Sequence, residues 1–196
     1  MEKITKVISA LQNNGFTAVY ASDGKEALTC ALSIIGEGSV GFGGSVTVDQ
    51  IGLYPALKER NNSVYWHWKG DSSANANTAD FYVCSANALT EDGKIVQIDG
   101  NGNRVGAMIS GPKNVILIVG KNKICADTEQ AIKRIKSVSC PQNAKRLGLK
   151  LPCAETGECN DCKSPSRMCS ITVIFDRPSK CVKKTTVILV DENLGY

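Results

Sequence analysis

Four cysteines close together near the end of the chain, Cys153, Cys159, Cys162 and Cys169, are the residues whose type and spacing point most directly to chemistry. Five, two and six residues separate them. Four thiolates on so short a segment can converge on one centre. The Cys159-x-x-Cys162 pair gives a tight bite, and Gly157 and Pro165 supply turns. Thiolates suit zinc and iron–sulfur clusters because both are thiophilic. Lys163, Arg167 and main-chain N–H groups would offset the ligands' negative charge. The spacing matches neither ferredoxin pattern nor the two-knuckle zinc pattern, since one C-x-x-C is present. Residue spacing alone therefore leaves cluster and zinc even. Reduced structural cysteines or a redox disulfide are the other readings. Cys140 lies upstream and Cys181 beyond the next strand, with no role fixed by spacing. Cys30, Cys84 and Cys125 sit singly in apolar contexts, as small buried hydrophobes do.

A second centre of chemistry is the turn Gly41-Phe42-Gly43-Gly44-Ser45-Val46-Thr47. Glycines between a strand and a helix let N–H groups approach an anion, and a helix start favours negative charge. Ser45 and Thr47 add hydroxyls. A tight turn with a plain helix cap is the equally weighted reading. Asp99-Gly100-Asn101-Gly102-Asn103 reads as a hairpin turn, or as a loop facing a ligand. His67, the single histidine, reads as a packed or edge residue at a strand end; a base or ligand role is the alternative. Lys121 to Lys150 carries eight basic and two acidic residues. That is a solvated helix face, or a docking surface for an acidic redox partner.

The elements that must position these residues follow from periodicity. Ile4, Val7, Ile8 and Leu11 predict a first helix ending at Gly15. Phe16–Ala21 predicts a strand, and Asp23 caps the helix that ends at Gly36. A helix is expected over about 49–60, kinked at Pro55. The strand VYWHW follows. The polar stretch 70–79 reads as loop, lid or weak helix. DFYVCSA is a buried strand, and residues 89–105 a hairpin with turns at Asp92-Gly93 and Asp99–Gly102. The unbroken apolar run of Asn114–Gly120 predicts a strand buried on both faces of a parallel sheet. Asp127 and Gln130 form a capping box. Two strands, MCSITVIFD and TTVILVD, close the sheet. The fold class expected is α/β: one open, mainly parallel sheet with helices on both faces, in a single domain over 1–196 with its cysteine-rich loop at about 140–169.

Composition sets the outer bounds. The 196 residues are 42% apolar and 21% charged, with net charge +4. That is a globular chain, without the concentrated basic face of a nucleic-acid binder and without an apolar run long enough for a membrane span. The N-terminus has no signal-peptide core, so a cytoplasmic location is expected, where reduced thiols favour metal or redox chemistry over disulfides. The sequon Asn61-Asn62-Ser63 is then a chance match.

Several blocks together, GFGGSVTVDQIGL, DFYVCSANALTEDGKIVQIDGNGNRVGAMISGPKNVILIVGKNKI, PQNAKRLGLKLPCAETGECNDCKSPSRMC and VILVDENLGY, resemble the LUD domain family (lactate utilisation) over about residues 3–196. The resemblance implies a fold like that of ribose-5-phosphate isomerase and the CoA transferases, with a cleft at the glycine-rich turn. It implies Gly43, Gly44, Ser45 and Thr47 on one wall, and Asn87, Thr90, Gly93, Asp99, Asn101 and Gly102 on the other. It favours a 4Fe–4S cluster at the four cysteines, with zinc as the alternative. It also implies a small carboxylate or phosphate ligand and a flavin or iron–sulfur protein partner. The expected role is redox accessory or electron transfer in 2-hydroxy-acid utilisation. The alternatives are a carboxylate- or phosphate-sensing module with a structural zinc, and an isomerase- or transferase-like enzyme using Asp49, Glu91, Asp99 or Lys113. No counterpart of the isomerase carboxylates or of the transferase glutamate is evident.

Overall fold

The computed structural model describes residues 2–60 and 62–196; Asn61, and with it the sequon, lies outside the described residues. Helix α1 (Glu2–Asn13) leads to β1 (Thr17–Ala21) and α2 (Gly24–Ile35). Asp23 caps α2 by accepting from the Glu26 N–H at 2.8 Å, and Glu26 reciprocates by accepting from the Ser22 N–H at 2.7 Å. After β2 (Val40–Phe42) come α3 (Val46–Gln50) and α4 (Leu53–Glu59). The expected single helix is thus two. The break falls at Gly52, which is left-handed with φ 72°, and not at Pro55. Pro55 sits in the first turn of α4, where its missing N–H costs nothing.

Strand β3 (Val64–Trp66) runs into a 3-10 turn at His67–Lys69. The polar stretch becomes α5 (Ser73–Thr78). Its backbone presses onto β2 so closely that a Cβ on Gly41 would collide with the Ala76 carbonyl. That glycine serves packing.

Then follow β4 (Phe81–Cys84), β5 (Ala88–Thr90) and β6 (Ile95–Asp99). The hairpin is real, since β5 and β6 pair antiparallel. The second glycine turn does not close a hairpin. It feeds α6 (Asn103–Ser110), a helix the glycine-rich sequence concealed. The chain continues through β7 (Asn114–Gly120), a 3-10 turn at Lys121–Lys123, β8 (Ile124–Cys125) and α7 (Thr128–Arg134), capped by Asp127. A π-turn (Ile135–Ser139) joins α7 to α8 (Cys140–Arg146). Pro141 explains the turn. It lacks an N–H, and its ring would strike the carbonyl four residues back in a regular helix. The wider turn, with the Cys140 N–H reaching Ile135 O, makes room. Short α9 (Pro152–Thr156), the cysteine loop, β9 (Ile171–Phe175) and β10 (Lys184–Val190) complete the order.

Six strands form an open, all-parallel sheet ordered β1-β10-β7-β4-β2-β3. Successive residues of β7 and β10 point to opposite faces. Leu117, Val119, Val187 and Leu189 join the core shared with α1 and α6. Ile116, Ile118, Ile188 and Val190 join the core beneath α2–α4. The expected α/β class is therefore correct. The closing strand β9, however, lies in a second, mixed sheet, β8-β5-β6-β9. That sheet turns Leu89, Ile95 and Phe175 toward the first core. Its other face, with Ala88, Val96 and Ile98, is covered by α7, the π-turn and α8. Among the described residues no helix is long and apolar enough to cross a membrane.

Candidate functional site: a cationic cleft beside a thiol loop

Ligands of open α/β sheets bind beyond the carboxyl ends of the strands, and a cleft of about 630 Å³ lies there. Residues following β2 (Gly44, Ser45, Thr47), β3 (His67, Trp68), β4 (Ser85, Asn87) and β7 (Lys123) line it. The opposite wall comes from the loop after β6 (Asp99, Gly100, Asn101) and from Arg104. The third is made by Ser139, Cys140 and Asn143, with Pro165–Met168 of the cysteine loop. Among the described residues Arg104, Lys123, Arg146 and Arg167 face this space, against one carboxylate, Asp99. A lining of this sign favours anions over cations.

Asp99 is committed. Its carboxylate pairs with Arg104 Nε at 3.4 Å and accepts from the Gly102 N–H at 3.2 Å. Arg104 Nη2 also donates to Asn87 Oδ1 at 3.0 Å and Ile98 O at 2.8 Å. Asn87, Asp99 and Arg104 thus form one half-buried frame, of which the sequence supplied two members. The other acid–base candidates lie elsewhere. Glu91 is held by Lys3 and Lys6, each at 3.0 Å. Asp49 pairs with Lys69 at 3.5 Å. Neither these two nor Lys113 lines the cleft.

The glycine turn divides between packing and site. A Cβ on Gly44 would press on the Trp68 indole at 3.1 Å, and one on Gly43 would meet the Tyr82 hydroxyl at 2.8 Å. Ser45 caps α3, accepting from the Val48 N–H at 3.2 Å. Trp68 stacks on Trp66 with centroids 5.2 Å apart, and the Arg146 guanidinium lies 4.3 Å from its ring centroid. With both faces covered, Trp68 is a wall and not a stacking platform for a ligand ring. Partial desolvation lowers the His67 pKa from its usual value, which favours the neutral ring. Thr90 is fully buried away from the cleft; its hydroxyl bonds Asp92 and accepts from the Lys94 N–H in the hairpin turn. Gly93 backs onto the Ala10 main chain and Gly102 starts α6 in a left-handed conformation. Neither lines the cleft.

Lys123 is the residue that sequence reasoning passed over. It is 3% exposed and donates to Thr47 Oγ1 at 2.8 Å and Ser85 Oγ at 3.0 Å. No salt bridge among the described residues involves it. Burial first, then the charges of Arg134 and Arg104, bring its pKa down to about 7. The available signal was its place, just past the carboxyl end of the most apolar strand.

The thiols of Cys140, Cys153, Cys159, Cys162 and Cys169 are free and lie within electrostatic reach of one another. Burial first, then Cys169, Cys159 and Cys153, push the Cys140 thiol up to about 12. Cys140 and Cys169 also pack together. Cys181 is exposed. Arg167 organises the loop by donating to Cys162 O at 2.9 Å, Cys169 O at 3.2 Å and Asp161 Oδ1 at 2.8 Å. Asp161, left-handed at φ 50°, turns the chain inside the C-x-x-C. As the side chains stand, no three described His, Cys, Asp or Glu converge tightly enough for one metal ion. A tetrahedral zinc needs each sulfur at about 2.3 Å. Zinc and iron–sulfur clusters both accept an all-thiol donor set.

Arg167→Ala is expected to speed amide exchange across 158–170 by roughly tenfold, since net losses near 1.4 kcal/mol follow from charged hydrogen bonds. Exchange in β7 and β10 should stay unchanged. Uniform loss of protection, measured by mass spectrometry, would contradict a local role.

An open parallel sheet with a cationic cleft at its strand ends defines an α/β domain of the open-sheet class. The LUD domain model matches residues 4–190, and the chain belongs to that family, which is linked in general to lactate utilisation. A crystal structure of a DUF162 family protein from Deinococcus radiodurans is similar in fold, with a TM-score of 0.59, 12% identity and 96% of each chain covered. No curated protein matches the sequence.

Proposed function

We propose that this chain is a redox accessory protein of 2-hydroxy-acid utilisation, with a 4Fe–4S cluster held by the thiol loop beside a cleft for a small carboxylate or phosphate. The observation that carries the reading is the shared wall. Cys140 and Pro165–Met168 border the same space as Lys123 and Arg104. When bound, a cluster supplies one-electron transfer. Cys153, Cys159, Cys162 and Cys169 would hold it, with Cys140 packed against Cys169. Arg104, Arg146 and Arg167 attract and orient the anion, while the Trp68 wall excludes water. The basic helix surface around α7 and α8 suits docking of an acidic flavin or iron–sulfur partner.

A small-anion sensing module with structural zinc is the second reading, favoured by the Asp99–Arg104 pair, which leaves no free cleft carboxylate for proton transfer. The same observation weighs against isomerase or transferase chemistry.

Anaerobic purification with an absorption spectrum and iron, sulfide and zinc analysis tests the proposal. Iron and sulfide in equal amounts are expected, with broad visible absorption that disappears in Cys159→Ser/Cys162→Ser while circular dichroism is unchanged. Stoichiometric zinc without iron would support the second reading instead.

A further inference from the structure

We infer that Lys123 is an amine nucleophile for a 2-oxo acid, which it captures in the cleft as an imine. The inference rests on the proposed reading of the cleft as a small-carboxylate site.

The geometry around the Nζ carries it. Thr47 spends its hydroxyl hydrogen on Leu194 O at 3.2 Å, and Ser85 spends its own on Ala86 O at 3.3 Å. Both oxygens can therefore only accept from Lys123, at 2.8 and 3.0 Å. A neutral amine has two N–H bonds and one lone pair. The two hydroxyls use both hydrogens, and the lone pair is left for a third direction, with the cleft beside it. An ammonium in the same place would add a third hydrogen with no carboxylate to receive it among the described residues, near the guanidinium groups of Arg104 and Arg134. A lysine desolvated beside other cations is the kind that attacks carbonyl carbon.

A 2-oxo acid fits the surroundings. Its carboxylate meets the cationic side of the cleft, and its carbonyl carbon is one bond away. It is also what two-electron oxidation of a 2-hydroxy acid yields. The step balances without an oxidant. The Nζ lone pair forms a C–N bond, the carbonyl oxygen leaves as water with both amine hydrogens, and a C=N bond replaces C=O. Protonation from solvent gives the iminium.

The test is trapping of the purified protein with pyruvate and cyanoborohydride, read by intact mass and peptide mapping. One adduct is expected on Lys123, heavier by a pyruvate less one oxygen atom. None should form with lactate, which has no carbonyl, or in Lys123→Arg. Mapping on the unaltered chain keeps the result decisive should that variant fail to fold. Adducts scattered over surface lysines overturn the inference. So does the absence of an adduct while calorimetry shows saturable pyruvate binding, and in that case the cleft reading stands. Absence of both adduct and binding of pyruvate, lactate and phosphate overturns the two together.

Discussion

Lys123→Met is expected to raise stability at pH 7 while abolishing capture of pyruvate as a borohydride-trappable imine. Burying an amine penalises its charged form, and here the folded-state pKa falls from 10.5 to about 7. The sign follows from proton binding. Between pH 7 and 10.5 the unfolded chain holds a proton at this position that the folded chain does not, so stability rises with pH across that window. Below about pH 7 the penalty is complete, and above 10.5 it is gone. Each tenfold loss of proton affinity on folding corresponds to about 1.4 kcal/mol. Methionine removes the penalty but also leaves Thr47 and Ser85 without a donor, at a cost of about 1 kcal/mol each. A net gain of about 1–3 kcal/mol at pH 7 results, in line with apolar replacement of buried charge. Chemical denaturation at pH 7 and pH 10 checks it. The gain should shrink toward pH 10, and the upward slope seen in the unaltered protein should flatten in the variant. Equal stability of the two proteins at both pH values would mean that Lys123 is protonated and solvated in the folded state.

What the sequence revealed was whatever depends on local pattern. The run NVILIVG fixes β7 as doubly buried because no polar residue interrupts it. Asp23 and Asp127 announce their helices because a cap acts on the N–H three residues on. What it concealed depends on partners distant in the chain. Asp99–Asn103 has the composition of a hairpin turn, and only the packing of Val105, Ala107 and Met108 makes the next segment a helix. Gly41 and Gly44 look like anion-binding glycines, but α5 and Trp68 occupy the space a side chain would need. Asn87, Asp99 and Thr47 were legible as cleft residues from the resemblance. Lys123 was not, because nothing in GKNKIC distinguishes the buried lysine from the solvated one. Cys140 gains meaning only from α8 facing the loop.

Arg134→Ala is expected to cost about 3 kcal/mol and to weaken ligand binding without touching the ligand. Arg134 ends α7 and is held under the second sheet. Its Nε donates to Asn122 O, and its Nη1 donates to Asn87 O and Ser139 Oγ, each at 3.0 Å. These partners belong to the turn that carries Lys123, the β4–β5 link that carries Asn87, and the π-turn that leads to Cys140. One guanidinium therefore fixes the strand-end wall of the cleft relative to the π-turn wall. Hydrogen bonds from a charged donor contribute about 1.5–3 kcal/mol each when isolated, but three on one side chain are not additive. Arg134→Lys should rescue little, because a single ammonium cannot reproduce the planar fork. The charge has a separate signature. Arg134 helps to lower the Lys123 pKa, so its removal should move the stability rise attributed to Lys123 toward higher pH. Denaturation of Arg134→Ala across pH 6–10 separates the two effects. A uniform loss at every pH would leave Arg134 as a brace alone, whereas a displaced slope ties it to the protonation of Lys123.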